Sequence, residues 1–210
     1  MGVIEFPPHV KKDENTNKCV GKFVSISKKI LSEYGIDFET VCAPPIRIYR
    51  LLESGAVDFT INIKSTEALP KDIVFVEPPF STLSLNLYSH KQASLGENVA
   101  AIRGFSYHGY RSKLVSQGYE FFDLPTSISA IQMFVKKRSS NLISYRAPVE
   151  YYIAEKGLEI KDNVRILPLT EIPTYIAISG QSKHLELIKS AFDDYAKKHQ
   201  LAFFSPPSQW

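Results

Sequence analysis

Hydrophobic and polar positions change their period within one short stretch, residues 44–63 (PPIRIYRLLESGAVDFTINI). Apolar residues recur at helical spacing from Ile48 to Leu52, which predicts a short helix. Gly55 follows, at the point where a helix favours a left-handed terminating residue. Apolar and polar residues then alternate over 57–63, which is typical of a strand. The stretch therefore predicts half of a βαβ unit, with the end of its strand opening into a cleft.

The same succession of helical and extended patterns occurs along the rest of the chain. We predict further helices at 23–34, 109–117, 128–135, 148–157 and 184–199. We predict further strands at 3–6, 38–42, 74–76, 83–88, 99–102, 121–122, 142–145, 164–169 and 174–178. The proline pairs at 7–8 and 78–79 are expected to end strands, and 11–18 (KKDENTNK) to form a polar loop. Strands that alternate with helices indicate an α/β fold.

The pattern starts again after Ser89, which predicts two α/β lobes joined by two crossings of the chain. Lobe one is assigned to residues 1–88 and 175–210, and lobe two to residues 91–169. The crossings are then residues 89–90 and 170–174, and the final predicted helix belongs to lobe one.

Composition excludes several classes of protein. The chain has 210 residues, of which 44% are hydrophobic and 22% charged, so it can bury a sizeable core. A net charge of +3 from scattered cations does not favour nucleic acid or a membrane surface as partner. No apolar run approaches the roughly 20 residues of a membrane-spanning helix. No signal peptide is visible, so we expect a cytoplasmic protein or one whose signal has been removed. Cys19 and Cys42 are too few for a disulfide scaffold, and composition alone favours two buried thiols.

Several short motifs follow one another in a defined order. They are Gly21-Lys22-Phe23, Pro44 to Arg47, Ser54-Gly55-Ala56-Val57-Asp58 and Glu77-Pro78-Pro79-Phe80, with looser matches at Arg103-Gly104-Phe105-Ser106 and Pro148-Val149-Glu150. Their order and spacing, over nearly the whole chain, resemble those of the extracytoplasmic solute-binding proteins of ABC importers, in the group that binds polar amino acids.

This resemblance implies an α/β fold of two Rossmann-like lobes joined by a two-strand hinge, as in type II periplasmic binding proteins, which close on a small ligand. It implies a periplasmic monomer, its signal peptide removed, that uses no cofactor or metal. Such a protein delivers its ligand to the membrane subunits of an ABC importer and does not bind nucleic acid. Relatives with Cys-x-Gly and Cys-x-Pro spacing look exported, which permits a disulfide between Cys19 and Cys42.

Two departures from the family's pattern concern the ligand. Members that bind amino acids usually carry an arginine after the third strand for the ligand's carboxylate, but residues 65–71 (STEALPK) contain none. They also usually carry an aspartate just before the Pro-Val pair for the ligand's ammonium, and Arg146 occupies that place. A guanidinium repels an ammonium in a low-dielectric cleft. We therefore expect a ligand that bears a carboxylate or another anion, unless Arg146 points to solvent.

The predicted ligand-binding residues lie at strand ends and helix starts, where backbone N–H groups are available to an anion. They are Phe6, Arg47, Asn62, Lys64, Ser65, Arg103, Ser106, Tyr107, Tyr145 and Arg146. Arg103 is the favoured anion-binding group, with Ser106 at a helix N-terminus and Tyr107 offering a ring.

Some of these positions have structural alternatives. Arg47 is as well explained by a salt bridge, and Phe6 by a place in the core. His9 and His108 are expected at the surface.

An enzyme is disfavoured because the chain contains no nucleophile elbow, P-loop, dinucleotide-binding motif or metal-spaced His/Cys set. The alternatives to a transport protein are a ligand-sensing module of the same fold for a membrane signalling protein and, less favoured, a dehydratase-like enzyme.

Overall fold

A computed structural model of the chain describes residues 1–13, 15–16, 18–91, 98–160 and 162–206. The helices in these ranges are α1 (Lys22–Ser32), α2 (Pro45–Glu53), α3 (Tyr110–Ser116), α4 (Ser127–Val135), α5 (Arg146–Lys156) and α6 (Leu185–His199). The strands are β1 (Gly2–Val3), β2 (Lys11–Lys12), β3 (Cys19–Val20), β4 (Val41–Cys42), β5 (Phe59–Asn62), β6 (Val74–His90), β7 (Asn98–Ile102), β8 (Glu120–Leu124), β9 (Asn141–Tyr145) and β10 (Val164–Ile178). Parts of the predicted polar loop, of both predicted lobes and of the C-terminal tail lie outside the described residues, namely 14, 17, 92–97, 161 and 207–210. None of the described helices combines the length and the apolar character needed to cross a membrane.

The chain divides into two compact units. Unit 1 comprises Met1–Thr82 and Pro173–Trp210, and unit 2 comprises Leu83–Ile172. The first boundary, between Thr82 and Leu83, lies ahead of the predicted crossing at 89–90. It falls within β6, which continues from unit 1 into unit 2 without a break. The second boundary falls within β10, inside the predicted crossing at 170–174.

Unit 1 combines short strand pairs with three helices. β1 pairs in parallel with β4, and β5 pairs antiparallel with the last part of β10. α1 packs against α6, and α2 packs against β1. Phe23, Ile30 and Leu31 of α1 are buried because they recur at helical spacing on one face. They join a buried core that also contains Phe59, Phe80, Phe192 and Phe204.

The segment after α6 completes unit 1. The ring of Phe204 lies 6.1 Å from that of Phe80 and 5.4 Å from that of Phe192. The N–H of Phe204 donates to the carbonyl of Pro79 (3.2 Å), and the N–H of Ser205 donates to the carbonyl of Phe80 (2.7 Å). The chain therefore returns after its last helix to bond to the first half of β6.

Cys19 of β3 and Cys42 of β4 form a disulfide, with their Cα atoms 5.5 Å apart. The bond attaches the β2–β3 hairpin to the strand beside β1. The disulfide that the resemblance implied is therefore present, and the expectation of two buried thiols is wrong.

Both long strands continue through prolines, and for the proline pair at 78–79 this is contrary to the expectation from the sequence. β6 passes through Pro78 and Pro79, and β10 passes through Pro168 and Pro173. The fixed φ of proline is compatible with extended backbone, so the residue removes one donor without ending the strand. The strands predicted at 74–76 and 83–88 are therefore one strand, and so are those predicted at 164–169 and 174–178.

Two N-terminal predictions are also wrong. The predicted first strand is reduced to β1, and Phe6 pairs instead with Val10 in an isolated bridge. The predicted polar loop at 11–18 begins with β2, which pairs antiparallel with β3 directly after the loop. The carboxylate of Asp13 holds the turn, because its Oδ1 accepts hydrogen bonds from the N–H and the hydroxyl of Thr16, both at 2.8 Å.

Unit 2 is organised around β7, which lies between β8 and β9 and is parallel to both. The other side of β9 pairs antiparallel with β6. α4 packs against all three parallel strands, and its Ile131 and Phe134 are fully buried. Thr126 caps α4, because its Oγ1 accepts a hydrogen bond from the N–H of Ser129 (3.1 Å).

Candidate functional site

The carboxyl ends of the three parallel strands meet at one edge of unit 2. These ends are Ile102 of β7, Leu124 of β8 and Tyr145 of β9. The N–H of Arg103 donates to the carbonyl of Leu124 (2.8 Å), which keeps the chain after β7 beside the end of β8. Ligands of parallel α/β sheets bind at this edge, so the segments after these strands form the candidate site of unit 2.

The Arg103 loop, residues 103–109, places a guanidinium and two amides at this edge. Arg103 is exposed, and its Nη2 lies 3.4 Å from the carbonyl oxygen of Asp123. Gly104 has a φ of +76°, which glycine adopts without strain. The N–H groups of Gly104 and Ser106 have no hydrogen-bond partner in the described part of the chain. An exposed guanidinium beside two such amides can bind an anion.

The helix after the Arg103 loop does not begin where the site prediction requires. α3 begins at Tyr110, with Gly109 (φ +84°) as its N-cap. Tyr107 and His108 also have positive φ, of +51° and +56°, so they cannot belong to a right-handed helix. The prediction that Ser106 lies at a helix N-terminus is therefore wrong, and the loop's own amides must supply the donors.

Tyr107 and Tyr145 are both buried within unit 2. The Tyr107 hydroxyl accepts a hydrogen bond from the N–H of Ile102 (2.6 Å), and burial raises the pKa of that hydroxyl. Its ring centroid lies 6.1 Å from that of Tyr145. Tyr107 thus fixes the end of β7, and its ring, 1% exposed, is not presented to a ligand as the sequence suggested.

Arg146, the first residue of α5, forms an ion pair with Glu150. Its Nε lies 2.6 Å from Oε1 of Glu150, and the two side chains are 49% and 41% exposed. This hydrogen bond raises the pKa of Arg146. The buried hydroxyl of Tyr88 accepts a hydrogen bond from Nδ2 of Asn86 (3.1 Å), and burial raises the pKa of Tyr88 to about 12. The place that holds an aspartate in the family thus holds an ion pair of no net charge.

Arg47 is exposed in the first turn of α2, where no acidic residue is present. Its side chain forms no hydrogen bond or ion pair with any residue that the structure describes, so the salt bridge considered as its alternative is not found there. A cation in a first helical turn is unfavourable with respect to the helix dipole, and this leaves Arg47 available to an anion.

Asn62, the last residue of β5, is engaged within unit 1. Its Nδ2 donates to the Tyr49 hydroxyl (3.2 Å), and burial raises the pKa of Tyr49. Its Oδ1 accepts from the N–H of Ile63 (2.8 Å) and from the hydroxyl of Thr66 (2.8 Å). Asn62 therefore holds the turn after β5 and keeps one amide hydrogen for a ligand.

Lys64 lies in the same turn and is compensated by Glu77. Its Nζ donates to Oε1 of Glu77 (2.6 Å) and lies 4.2 Å from the ring centroid of Tyr175. The hydrogen bond to Glu77 raises the pKa of Lys64. Ser65 beside it is exposed. The carboxylate of Glu77 makes Lys64 a weaker group for a ligand anion than Arg103 or Arg47.

Phe6 is half-buried, and its ring stacks on His9 at 6.0 Å. His9 was expected at the surface, but it is 8% exposed and stacks on Phe23 at 4.6 Å with the rings 6° apart. Burial, and to a smaller extent the positive charge of Lys22, lower the pKa of His9 to about 4. His108 is exposed, as expected.

Arg111 of α3 is a residue of this site that the sequence did not suggest. Its Nε donates to the carbonyl of Phe105 (2.7 Å), and its Nη2 donates to the carbonyl of Ile102 (3.0 Å) and the carboxylate of Asp123 (2.7 Å). Its guanidinium carbon lies 4.5 Å from the ring centroid of Phe121. In the sequence Arg111 is one charged residue of a short helix, and nothing in its spacing indicates these partners.

A surface pocket of about 660 Å³ lies in unit 1, between α2, residues 67–72 and Gln181. None of the predicted site residues lines it. Its charged lining residues have both signs: Arg50, Lys71, Glu53, Glu67 and Asp72. The lining therefore favours neither an anion nor a cation.

No protein-family model matches the chain, and no curated protein matches it. Solved structures do match it. An ancestral arginine-binding protein bound to arginine is 22% identical, with 96% of this chain and 92% of that chain covered and a TM-score of 0.74. A histidine kinase sensor domain with similarity to periplasmic binding proteins is 19% identical, with 95% and 90% covered and a TM-score of 0.75. An ancestral amino acid-binding protein, a precursor of cyclohexadienyl dehydratase, is 16% identical, with 95% and 89% covered and a TM-score of 0.71.

These likenesses extend over nearly the whole chain at low identity, so they establish the fold. They include amino-acid-binding proteins, the group that the order of motifs resembles. The fold class predicted from the sequence is confirmed: the chain has the mixed α/β fold of type II periplasmic binding proteins.

Proposed function

We propose that the chain is a non-catalytic solute-binding protein that captures a small polar ligand bearing a carboxylate or another anion. The shared fold supports a binding role, since an arginine-binding protein has the same fold over nearly the whole chain. The Arg103 loop is the observation that supports an anionic ligand, because an exposed guanidinium there lies beside the amides of Gly104 and Ser106. Charge-assisted hydrogen bonds from such groups to an anionic oxygen are roughly twice as strong as neutral ones.

The charges at the start of α5 argue against a ligand ammonium. The carboxylate of Glu150 is engaged by Arg146 at 2.6 Å. An ammonium at this position would have to separate the ion pair or face the guanidinium, and both are unfavourable. We therefore expect the anionic part of the ligand to dominate recognition.

We further propose that the protein works in the periplasm as a monomer. Its ligand would occupy the cleft between the two lobes that the resemblance implies, and an ABC importer would receive it. The Cys19–Cys42 disulfide supports export, because disulfides persist in oxidising compartments.

A thermal-shift screen tests the ligand class. The screen covers amino acids, dicarboxylates, phosphorylated metabolites and small peptides. A compound present at 100 times its Kd adds about 2.7 kcal/mol to the free energy of unfolding. Calorimetry that shows tight binding of neutral amino acids by the unmodified protein would contradict the proposal.

Substitution of Arg103 tests whether this residue binds the anionic group of the ligand. A charge-assisted hydrogen bond contributes roughly 1.5–3 kcal/mol, so Arg103→Ala should weaken binding of the screened ligand about ten- to a hundredfold. Arg138→Ala is the matched control, because Arg138 is exposed in the same unit and forms no ion pair among the described residues. Arg146→Asp should abolish binding or shift preference toward zwitterionic amino acids. Unchanged affinity in Arg103→Ala would show that the anion is bound elsewhere.

A sensor module is the second candidate function. The likeness to a histidine kinase sensor domain, at a TM-score of 0.75, favours it. A gene that encodes a transmembrane segment and a kinase or cyclase after this chain would select the sensor over the transport protein.

An enzyme is the third candidate, favoured by the likeness to the precursor of a dehydratase. A turnover screen with dehydratase substrates tests it. Product formation that survives further purification would replace the binding role by a catalytic one.

A further inference from the structure

Asp123, the penultimate residue of β8, contacts two arginines through different groups. Its carboxylate Oδ1 accepts a hydrogen bond from Nη2 of Arg111 (2.7 Å), and its backbone carbonyl accepts one from Nη2 of Arg103 (3.4 Å). Among the described residues no carboxylate pairs with Arg103. Arg111 therefore neutralises Asp123, and the charge of Arg103 remains available.

Arg111 also holds the Arg103 loop in shape. Its side chain is 22% exposed. It donates to the carbonyl of Ile102, just before the loop, and to the carbonyl of Phe105, within the loop. Its backbone N–H donates to the carbonyl of Ser106 (3.1 Å). These bonds direct three carbonyls toward Arg111. They support the left-handed residues that follow, which are unfavourable for side chains larger than glycine.

We propose that Arg111 is a positioning residue for the anion site, and that it acts by keeping the carboxylate of Asp123 away from Arg103. This inference rests on the proposed function, because the site it serves is the proposed anion site. When Arg111 is removed, the carboxylate of Asp123 is free to pair with Arg103, whose guanidinium already contacts the carbonyl of the same residue. A guanidinium neutralised in this way attracts a ligand anion less.

Three variants separate this role from a general structural one: Arg111→Gln, Asp123→Asn and the two combined. Arg111→Lys is the conservative variant, which keeps the positive charge and loses the planar fork. Arg165→Gln is the matched control, because Arg165 is exposed in unit 2 and forms no ion pair with the described residues.

The first measurement needs no ligand. The side-chain Nε–Hε signal of Arg103 is recorded by nitrogen-15 NMR in each variant. Arg111→Gln should shift this signal as the new ion pair forms, and the combined variant should return it to the wild-type position. Arg111→Lys and Arg165→Gln should leave it in place. A signal that does not move in Arg111→Gln, or that stays shifted in the combined variant, overturns the proposal.

The second measurement is a succinate titration followed by calorimetry. Arg111→Gln should weaken binding about tenfold, and the combined variant should recover most of that loss. Weakening without recovery would show that Arg111 only supports the loop, and this would overturn its role through Asp123. If the wild-type protein binds no succinate, this dicarboxylate ligand is excluded, and the NMR signal of Arg103 still decides the role of Arg111.

Discussion

Acidification should destabilise unit 1 through His9. The imidazole stacks on Phe23 at 4.6 Å and is 8% exposed, so its charged form is poorly solvated in the folded protein. Burial accordingly lowers its pKa from 6.5 to about 4. Between these values the unfolded chain binds a proton on His9 and the folded chain does not.

The sign and size of the effect follow from this difference. Stability from the neutral His9 is complete above pH 6.5 and is lost as the pH falls toward 4. One pKa unit corresponds to about 1.4 kcal/mol, so the full difference is worth about 3 kcal/mol. At pH 5 the expected loss is about 2 kcal/mol, because the folded state has scarcely begun to bind the proton.

Urea unfolding at pH 7.5 and pH 5, followed by circular dichroism, measures this loss. His9→Phe keeps an aromatic ring in the stack and removes the titrating group. We expect the free energy of unfolding to fall by about 2 kcal/mol more in the wild type than in His9→Phe. His184→Gln is the control, since His184 is exposed in the same unit, and it should respond as the wild type does. Equal losses in the wild type and His9→Phe would refute the reasoning.

Two further predictions concern the same unit. Replacement of both cysteines (Cys19→Ala with Cys42→Ala) should lower the free energy of unfolding by about 3 kcal/mol in urea titrations, the value expected for a bond that closes a loop of this length. Thiol titration of the denatured, unreduced wild type should find no reactive thiol, and two would contradict the bond. Gly21→Ala should cost more than about 2 kcal/mol in the same assay, because the added Cβ would clash with the backbone carbonyl oxygen of His9 and because Gly21 has a φ of +142°. Gly35 has a φ of +70° with open space around it, so Gly35→Ala should cost only about 1 kcal/mol. Equal costs for the two variants would show that the backbone at His9 moves to accommodate the added Cβ.

The local parts of the fold could be predicted from the sequence because they depend on near neighbours. The helix over 45–53, its end at Gly55 (φ +70°) and the strand that follows are all present. The continuity of β6 and β10 could not be predicted in this way. Pro79 lies within β6, and its carbonyl accepts a hydrogen bond from the N–H of Phe204. That partner comes from the far end of the chain, so local sequence does not reveal it.

The candidate site, like the fold, could be predicted only where it depends on neighbours close in the sequence. Arg103 follows a strand with a clear pattern, so its place at the edge of unit 2 follows from the sequence. Tyr107 was misjudged because its hydroxyl bonds to the N–H of Ile102, which requires the left-handed turn that precedes α3. Arg111 was missed because its partners are two carbonyls and Asp123, a residue of the adjacent strand.

The division of unit 1 into two distant segments affects the order in which the chain can fold during synthesis. The core of unit 1 combines Val24 and Phe80 from the first segment with Ile176 and Phe192 from the last. Unit 2 is continuous and can fold as soon as residue 172 has left the ribosome. The first segment of unit 1 must wait for the last one, with its apolar residues uncovered. Until residues 173–206 have been made, the first segment of unit 1 therefore offers an apolar binding surface to a chaperone or an export factor.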